Sequence, residues 1–125
     1  MIFEATAFGA KAINDRFAEE GVAIERVIAM GGIAKKNDLV MQTTADVLGM
    51  PIEVAASDQA CALGAAMFGA TAAGSYRTIA EAQKAMGCGF SRTYRPDPEN
   101  TARYREVYRA YLDLGGKLGD ILRRL

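Results

Sequence analysis

From Ile2 to Glu20, small or apolar residues recur at Ala5, Gly9, Ile13 and Phe17, a four-residue spacing that lines up one helical face. Gly21 closes that helix. The pattern then changes. Ile24 to Met30 is a β-branched run bounded by Gly31-Gly32, which predicts a buried strand entering a tight loop. Helical periodicity returns near Asn37, whose side chain can cap free amides, and passes through Met41, Ala45 and Leu48 to Gly49, with Pro51 beyond. Pro51 to Ala55 predicts a second strand. Ser57-Asp58 supplies a cap and a first-turn carboxylate for a third helix, rich in Ala and Gly, that ends at Gly74. Thr78-Ile79-Ala80-Glu81 is a capping box for a short helix to about Met86, and Gly87 to Arg95 reads as a connector. Asp97-Pro98 opens the last helix, where Tyr104, Tyr108 and Leu112 with Val107, Tyr111 and Leu114 form a wide apolar stripe to about residue 118.

Helix alternating with strand over short connections predicts an α/β fold of parallel strands covered by helices. Two strands make a poor sheet by themselves, so the chain reads as part of a fold whose first strands lie elsewhere. Residues 1–75 are the expected core and residues 76–125 a helical extension. The 125 residues, half of them hydrophobic, match one globular domain. Fifteen basic and fifteen acidic side chains cancel, so no overall field points to nucleic acid or an anionic membrane as a partner. Locally the balance differs: residues 1–62 carry 5 basic and 9 acidic groups (−4), and residues 63–125 carry 10 and 6 (+4), which makes the halves complementary. The longest uncharged run, Ala60 to Gly74, is 15 residues and falls short of a membrane span. Glu4 stands where a signal peptide would be basic, and the two cysteines, Cys61 and Cys88, are too few for a disulfide framework. A cytoplasmic location is expected. The absence of histidine excludes a Ser-His-Asp triad and a Cys-His pair, and no metal site is expected.

The candidate chemistry sits in Met30-Gly31-Gly32-Ile33-Ala34-Lys35-Lys36-Asn37, where two glycines and two lysines separate a strand from a helix. Bare glycine backbone lets a ligand approach, and free helix-start amides favour anions. A purely structural turn is the alternative. A β-branched side chain at Gly32 is expected to obstruct a ligand and to strain the backbone. Gly115-Gly116-Lys117-Leu118 lacks the glycine spacing and the Ser/Thr of a P-loop, and Gly87-Cys88-Gly89-Phe90-Ser91-Arg92 has Arg where a dinucleotide fingerprint needs glycine. Ala62, Ala65, Ala66, Gly69 and Ala73 suit close helix packing, Cys61 a small core position, and Arg103, Arg105 and Arg109 a solvated face.

Three stretches taken together change the picture: Ile2-Phe3-Glu4-Ala5-Thr6-Ala7-Phe8-Gly9, then Met30 to Asn37 with Met41-Gln42, then Val54 through Phe68. With Tyr94-Arg95-Pro96-Asp97-Pro98 and the tyrosine-rich last helix, the chain resembles the C-terminal nucleotide-binding domain of the FGGY family of carbohydrate kinases. Ala34-Lys35-Lys36-Asn37 and Ala55-Ala56-Ser57-Asp58-Gln59 resemble the ribulokinase branch more than the xylulokinase or glycerol kinase branches. The resemblance implies part of a ribonuclease-H-like lobe of an actin-like ATPase fold, with MgATP in the cleft between two lobes. It implies that Gly31 and Gly32 lie against the ribose and phosphates of ATP, that Asn37 reaches the adenine, and that Ala34, Lys35 and Gln42 are neighbours. It also implies that the ketopentose pocket and the catalytic base come from residues upstream, so no catalytic residue is assigned here and the isolated chain is expected to be inactive. A different class of function would be a non-catalytic association module that retains the fold. Uncovered helix faces make self-association the expected behaviour of the isolated chain.

Overall fold

A computed structural model describes residues 2–123. In chain order the elements are α1 (Ile2–Glu19), β1 (Val27–Ala29), α2 (Gly32–Lys36), α3 (Asp38–Leu48), β2 (Ile52–Ala55), α4 (Ala60–Ala72), α5 (Ile79–Met86), β3 (Phe90–Tyr94) and α6 (Pro98–Leu122). The strands form one small mixed sheet in the order β1-β2-β3. The expectation of two strands, both parallel, therefore covers only part of the sheet. The stretch predicted to be a connector holds β3, and α6 runs a full turn past residue 118. No helix among the described residues is long and apolar enough to cross a membrane.

The chain divides into two compact units. The first comprises residues up to Val27, Asp38–Ile52 and the chain from Tyr94 on. Here α1 packs on α3 and α6, and α3 also packs on α6. The core is Ala7, Phe8, Val47 and Tyr108, with Ala12 and Tyr104 packed against it. Phe8 meets three tyrosine rings of α6, with centroids 6.1 Å from Tyr104, 5.8 Å from Tyr108 and 5.5 Å from Tyr111, distances at which aromatic pairs attract beyond their burial. Within the chain α1 turns Ala7 and Phe8 inward, and the stripe read from the sequence stays uncovered, with Ile13 and Phe17 63% and 48% exposed. A four-residue spacing defines a stripe but not the side of the helix that meets a partner.

A row of polar side chains on α3 anchors the start of α6 in this same unit. Asp38, Gln42 and Asp46 fall on successive turns of one face. Tyr94 donates its hydroxyl to Asp38 (2.7 Å), Gln42 donates to Asp46 (2.8 Å) and to the Arg95 carbonyl (2.8 Å), and the Asp97 N–H donates to Asp46 (2.8 Å). The Asn100 amide adds a bond to the other Asp46 oxygen at 3.1 Å. Asp97 in turn caps α6 as the sequence predicts, accepting from the N–H groups of Glu99 (2.8 Å) and Asn100 (3.2 Å).

The second unit, Ile28–Asn37 and Glu53–Thr93, carries most of the sheet with α2, α4 and α5. α4 packs on α5, with Met67 of the one and Ala82 of the other buried. The capping box at α5 forms in part: the Glu81 N–H donates to the Thr78 hydroxyl at 3.2 Å, and the Glu81 carboxylate accepts from the Arg77 N–H instead of reaching Thr78. At α4 the predicted cap is displaced. Gln59 takes the N-cap position without a side-chain bond, while Ser57 accepts from the Gln59 N–H at 3.1 Å. Cys61 is exposed, as are Ala62, Ala65, Ala66, Gly69 and Ala73, so neither the core role for Cys61 nor close packing on that stripe is met within this chain.

Candidate functional site

The loop leaving β1 is built around a backbone that only glycine adopts readily. Gly31 has φ 89° and ψ −178°, in a region that costs an L side chain strain. Gly32 does not share that conformation; it is the first residue of α2, so the strain expected at Gly32 belongs to Gly31. A Cβ built on either glycine meets no atom within 4 Å. Both residues face open space, and the flanking side chains of Met30 and Ile33 are 61% and 68% exposed. Packing inside the chain therefore does not explain why two glycines stand here.

α2 follows for five residues and is closed by the Asn37 N–H donating to the Ile33 carbonyl at 3.1 Å. This short helix is additional to the one predicted to open near Asn37, which is α3 and starts at Asp38. Asn37 lies at the junction, as the C-cap of α2 and the residue before α3. Such a short helix has little macrodipole to offer an anion, because the field of aligned peptides builds up over several turns. What the loop offers is access to its backbone. Ala34 is buried and fixes α2 from below. Lys35 reaches out of α2 and donates through Nζ to the Ala56 carbonyl and to Asp58 Oδ1, both at 2.6 Å. The hydrogen bond from Lys35 and its positive charge hold the Asp58 carboxyl below the ordinary value of 3.8, with Lys36 adding a smaller push and slight desolvation opposing it.

Five of the six expected site residues, Gly31, Gly32, Ala34, Lys35 and Asn37, therefore lie in one continuous stretch of the second unit. Gln42 belongs to the first unit, and both of its amide protons are used by Asp46 and Arg95. The sequence pattern did not single out Asp58 as the partner of Lys35, because Asp58 had a ready local role as a first-turn carboxylate. It also passed over Asp46, although the four-residue spacing of Asp38, Gln42 and Asp46 carried the signal. Among the described residues, no three acidic, thiol or imidazole side chains gather to hold a metal ion.

The class this defines is an α/β domain with an open, glycine-built turn at the end of a strand, in the position where such folds receive ligands. The chain belongs to the FGGY family of carbohydrate kinases, whose C-terminal domain matches residues 1–73. It is 49% identical over 120 residues to a ribulokinase of Vibrio parahaemolyticus, an overlap that covers 96% of this chain and 21% of that protein. Among solved structures, xylulose kinase from Rhodospirillum rubrum superposes with a TM-score of 0.79 at 24% identity, over 97% of this chain and 24% of that one. Glycerol kinase with ADP from Plasmodium falciparum superposes with a TM-score of 0.69 at 19% identity, over 89% of this chain and 22% of that one. At those identities the likeness establishes the fold. The chain spans about a fifth to a quarter of the length of the curated relatives it matches.

Proposed function

We propose that this chain is the nucleotide-binding C-terminal part of a cytoplasmic, ATP-dependent sugar kinase of the ribulokinase type, one that moves the γ-phosphoryl group of ATP to a hydroxyl of a ketopentose. Residues 1–75 would complete the nucleotide side of a ribonuclease-H-like lobe, with residues 76–125 as its helical extension. The observation that carries this is the Gly31-Gly32 turn, open on the side where a Cβ would project and built on a backbone that no internal packing demands. The ribose and phosphates of ATP would lie on that bare backbone, with Asn37 at the edge of the adenine and Ala34 and Lys35 as neighbours. The exposed side chains of Met30 and Ile33 beside the glycines suit the apolar faces of a nucleoside. The names of the relatives support the sugar class, and the fold shared with a glycerol kinase described with ADP supports the nucleotide.

Phosphoryl transfer depends on positioning the reactants and stabilising charge more than on covalent work by the protein. In this chain the contribution is to hold the nucleotide. Mg2+ would neutralise the phosphates, and with no acidic cluster among the described residues its protein contacts would come from the part of the kinase upstream. The catalytic base and sugar pocket would lie there too. By itself the chain should turn over neither ribulose, xylulose nor glycerol.

A chimera tests this directly. Residues 1–125 replace the matching segment of the Vibrio parahaemolyticus ribulokinase, whose identity of 49% favours correct docking. ATP-dependent phosphorylation of ribulose by the folded chimera supports the proposal. Turnover with xylulose or glycerol instead assigns the chain to another branch of the family, and a folded, inactive chimera favours the non-catalytic association module.

A further inference from the structure

We propose that Lys35 and Asp58 form a latch that holds the Gly31-Gly32 turn in the geometry that receives the nucleotide, a positioning role that rests on the nucleotide-binding function proposed above. The turn cannot hold itself. Gly31 and Gly32 have no side chains, Met30, Ile33 and Lys36 are exposed, and α2 is too short to be stable from its own hydrogen bonds. Ala34 ties it down by burial, and Lys35 by reaching 21 residues along the chain to the Ala56 carbonyl and 23 to Asp58.

The other end of the latch is fixed. Ala56 directly follows β2, its N–H donates to the Gly89 carbonyl at 3.0 Å, and Ser57 closes the next turn by accepting from Gln59 at 3.1 Å. β1 and β2 are neighbours in the sheet, and the segments bridged by Lys35 both leave the C-terminal ends of these strands. Ligands of open α/β sheets bind outside those ends. Lys35 thus joins the glycine turn to a hydrogen-bonded loop beside it, and its ammonium is already directed at two acceptors. Asp58 touches no ligand in this arrangement; it acts through Lys35.

The carboxylate is 82% exposed and the lysine 24%, so the ion pair is the weak part of the latch and the effect of breaking it is modest. In the active chimera, Asp58→Asn and Lys35→Met should each raise KM for ATP about two- to fivefold, the size of a partly exposed ion pair. In Asp58→Asn the turnover number and the KM for the sugar should stay unchanged, the double variant should be no worse than the more affected single one, and Lys35→Arg should preserve most of the affinity. Added salt should shrink the difference between wild type and Asp58→Asn. In the unliganded 125-residue chain, Asp58→Asn should speed amide hydrogen exchange in residues 31–36 while leaving α6 unaffected.

Two results overturn the latch and leave nucleotide binding standing: no change in exchange at residues 31–36, or Lys35→Met raising KM for ATP while Asp58→Asn lowers it or leaves it alone, which makes Lys35 a direct phosphate ligand. Gly32→Val separates the two claims. If it leaves KM for ATP unchanged in folded protein, nucleotide binding at this turn falls and the latch falls with it.

Discussion

Asp46 is 3% exposed and accepts three hydrogen bonds, from the Gln42 amide, the Asp97 N–H and the Asn100 amide. Removing the carboxylate strands those donors, so Asp46→Ala should lower stability by about 2–4 kcal/mol, read as an earlier urea midpoint. Gly31 presents the opposite case, where a residue touching nothing still matters. With φ at 89°, Gly31→Ala should cost about 1–2 kcal/mol from the backbone alone. Tyr108 reports on the core by titration. Burial first, then the hydrogen bond and charge of Asp15, push its hydroxyl up from 10.0 to about 12. A folded value above the unfolded one means that this stabilisation is complete below pH 10 and is lost as pH rises toward 12. An absorbance titration of wild type against Tyr108→Phe should show the late-ionising tyrosine missing from the variant. Loss from the variant of a step near the ordinary value, in place of the late one, would contradict the buried placement.

At the level of elements, what could be read in the sequence was what neighbours along the chain decide. Asp97 before Pro98 marks the start of α6 because a cap and its N–H partners are local, and Asp97→Ala should cost about 1 kcal/mol in a denaturant series. The Gly31-Gly32 turn was legible for the same reason, since glycine marks a backbone conformation on the spot. β3 was not. Four of its five residues are exposed, and Arg92 shares a face with Phe90 and Tyr94, which breaks the alternation by which a strand is recognised. The inward face of α1 was hidden too, because it depends on Phe8 finding tyrosines on α6 about a hundred residues later, a pairing no window on the sequence contains. Lys35 and Asp58, 23 residues apart, escaped for that reason as well.

On the scale of the whole molecule, several apolar side chains are left without cover. Ala12, Ile13, Phe17 and Val22 line a groove of about 500 Å³, Phe68 is 67% exposed on α4, and Val107, Leu114 and Leu118 are at least half exposed on α6. Exposure of this extent marks surfaces that meet a partner. In a kinase four to five times longer, the rest of the protein would cover them, so the isolated chain should associate in sedimentation and the folded chimera should show none of that association from these faces. A clean monomer of the isolated chain at high concentration would count against it. The central claim is that the Gly31-Gly32 turn faces the nucleotide, and Gly32 is where it is tested most cleanly, because a side chain there meets neither strain nor a neighbour. Gly32→Val should change the melting temperature little, as valine is no poorer a helix former than the glycine it replaces. KM for ATP measured on that variant of the active chimera is the most direct measurement: it should rise roughly tenfold or more while KM for the sugar stays put. An unchanged KM for ATP in folded, active protein would contradict the assignment.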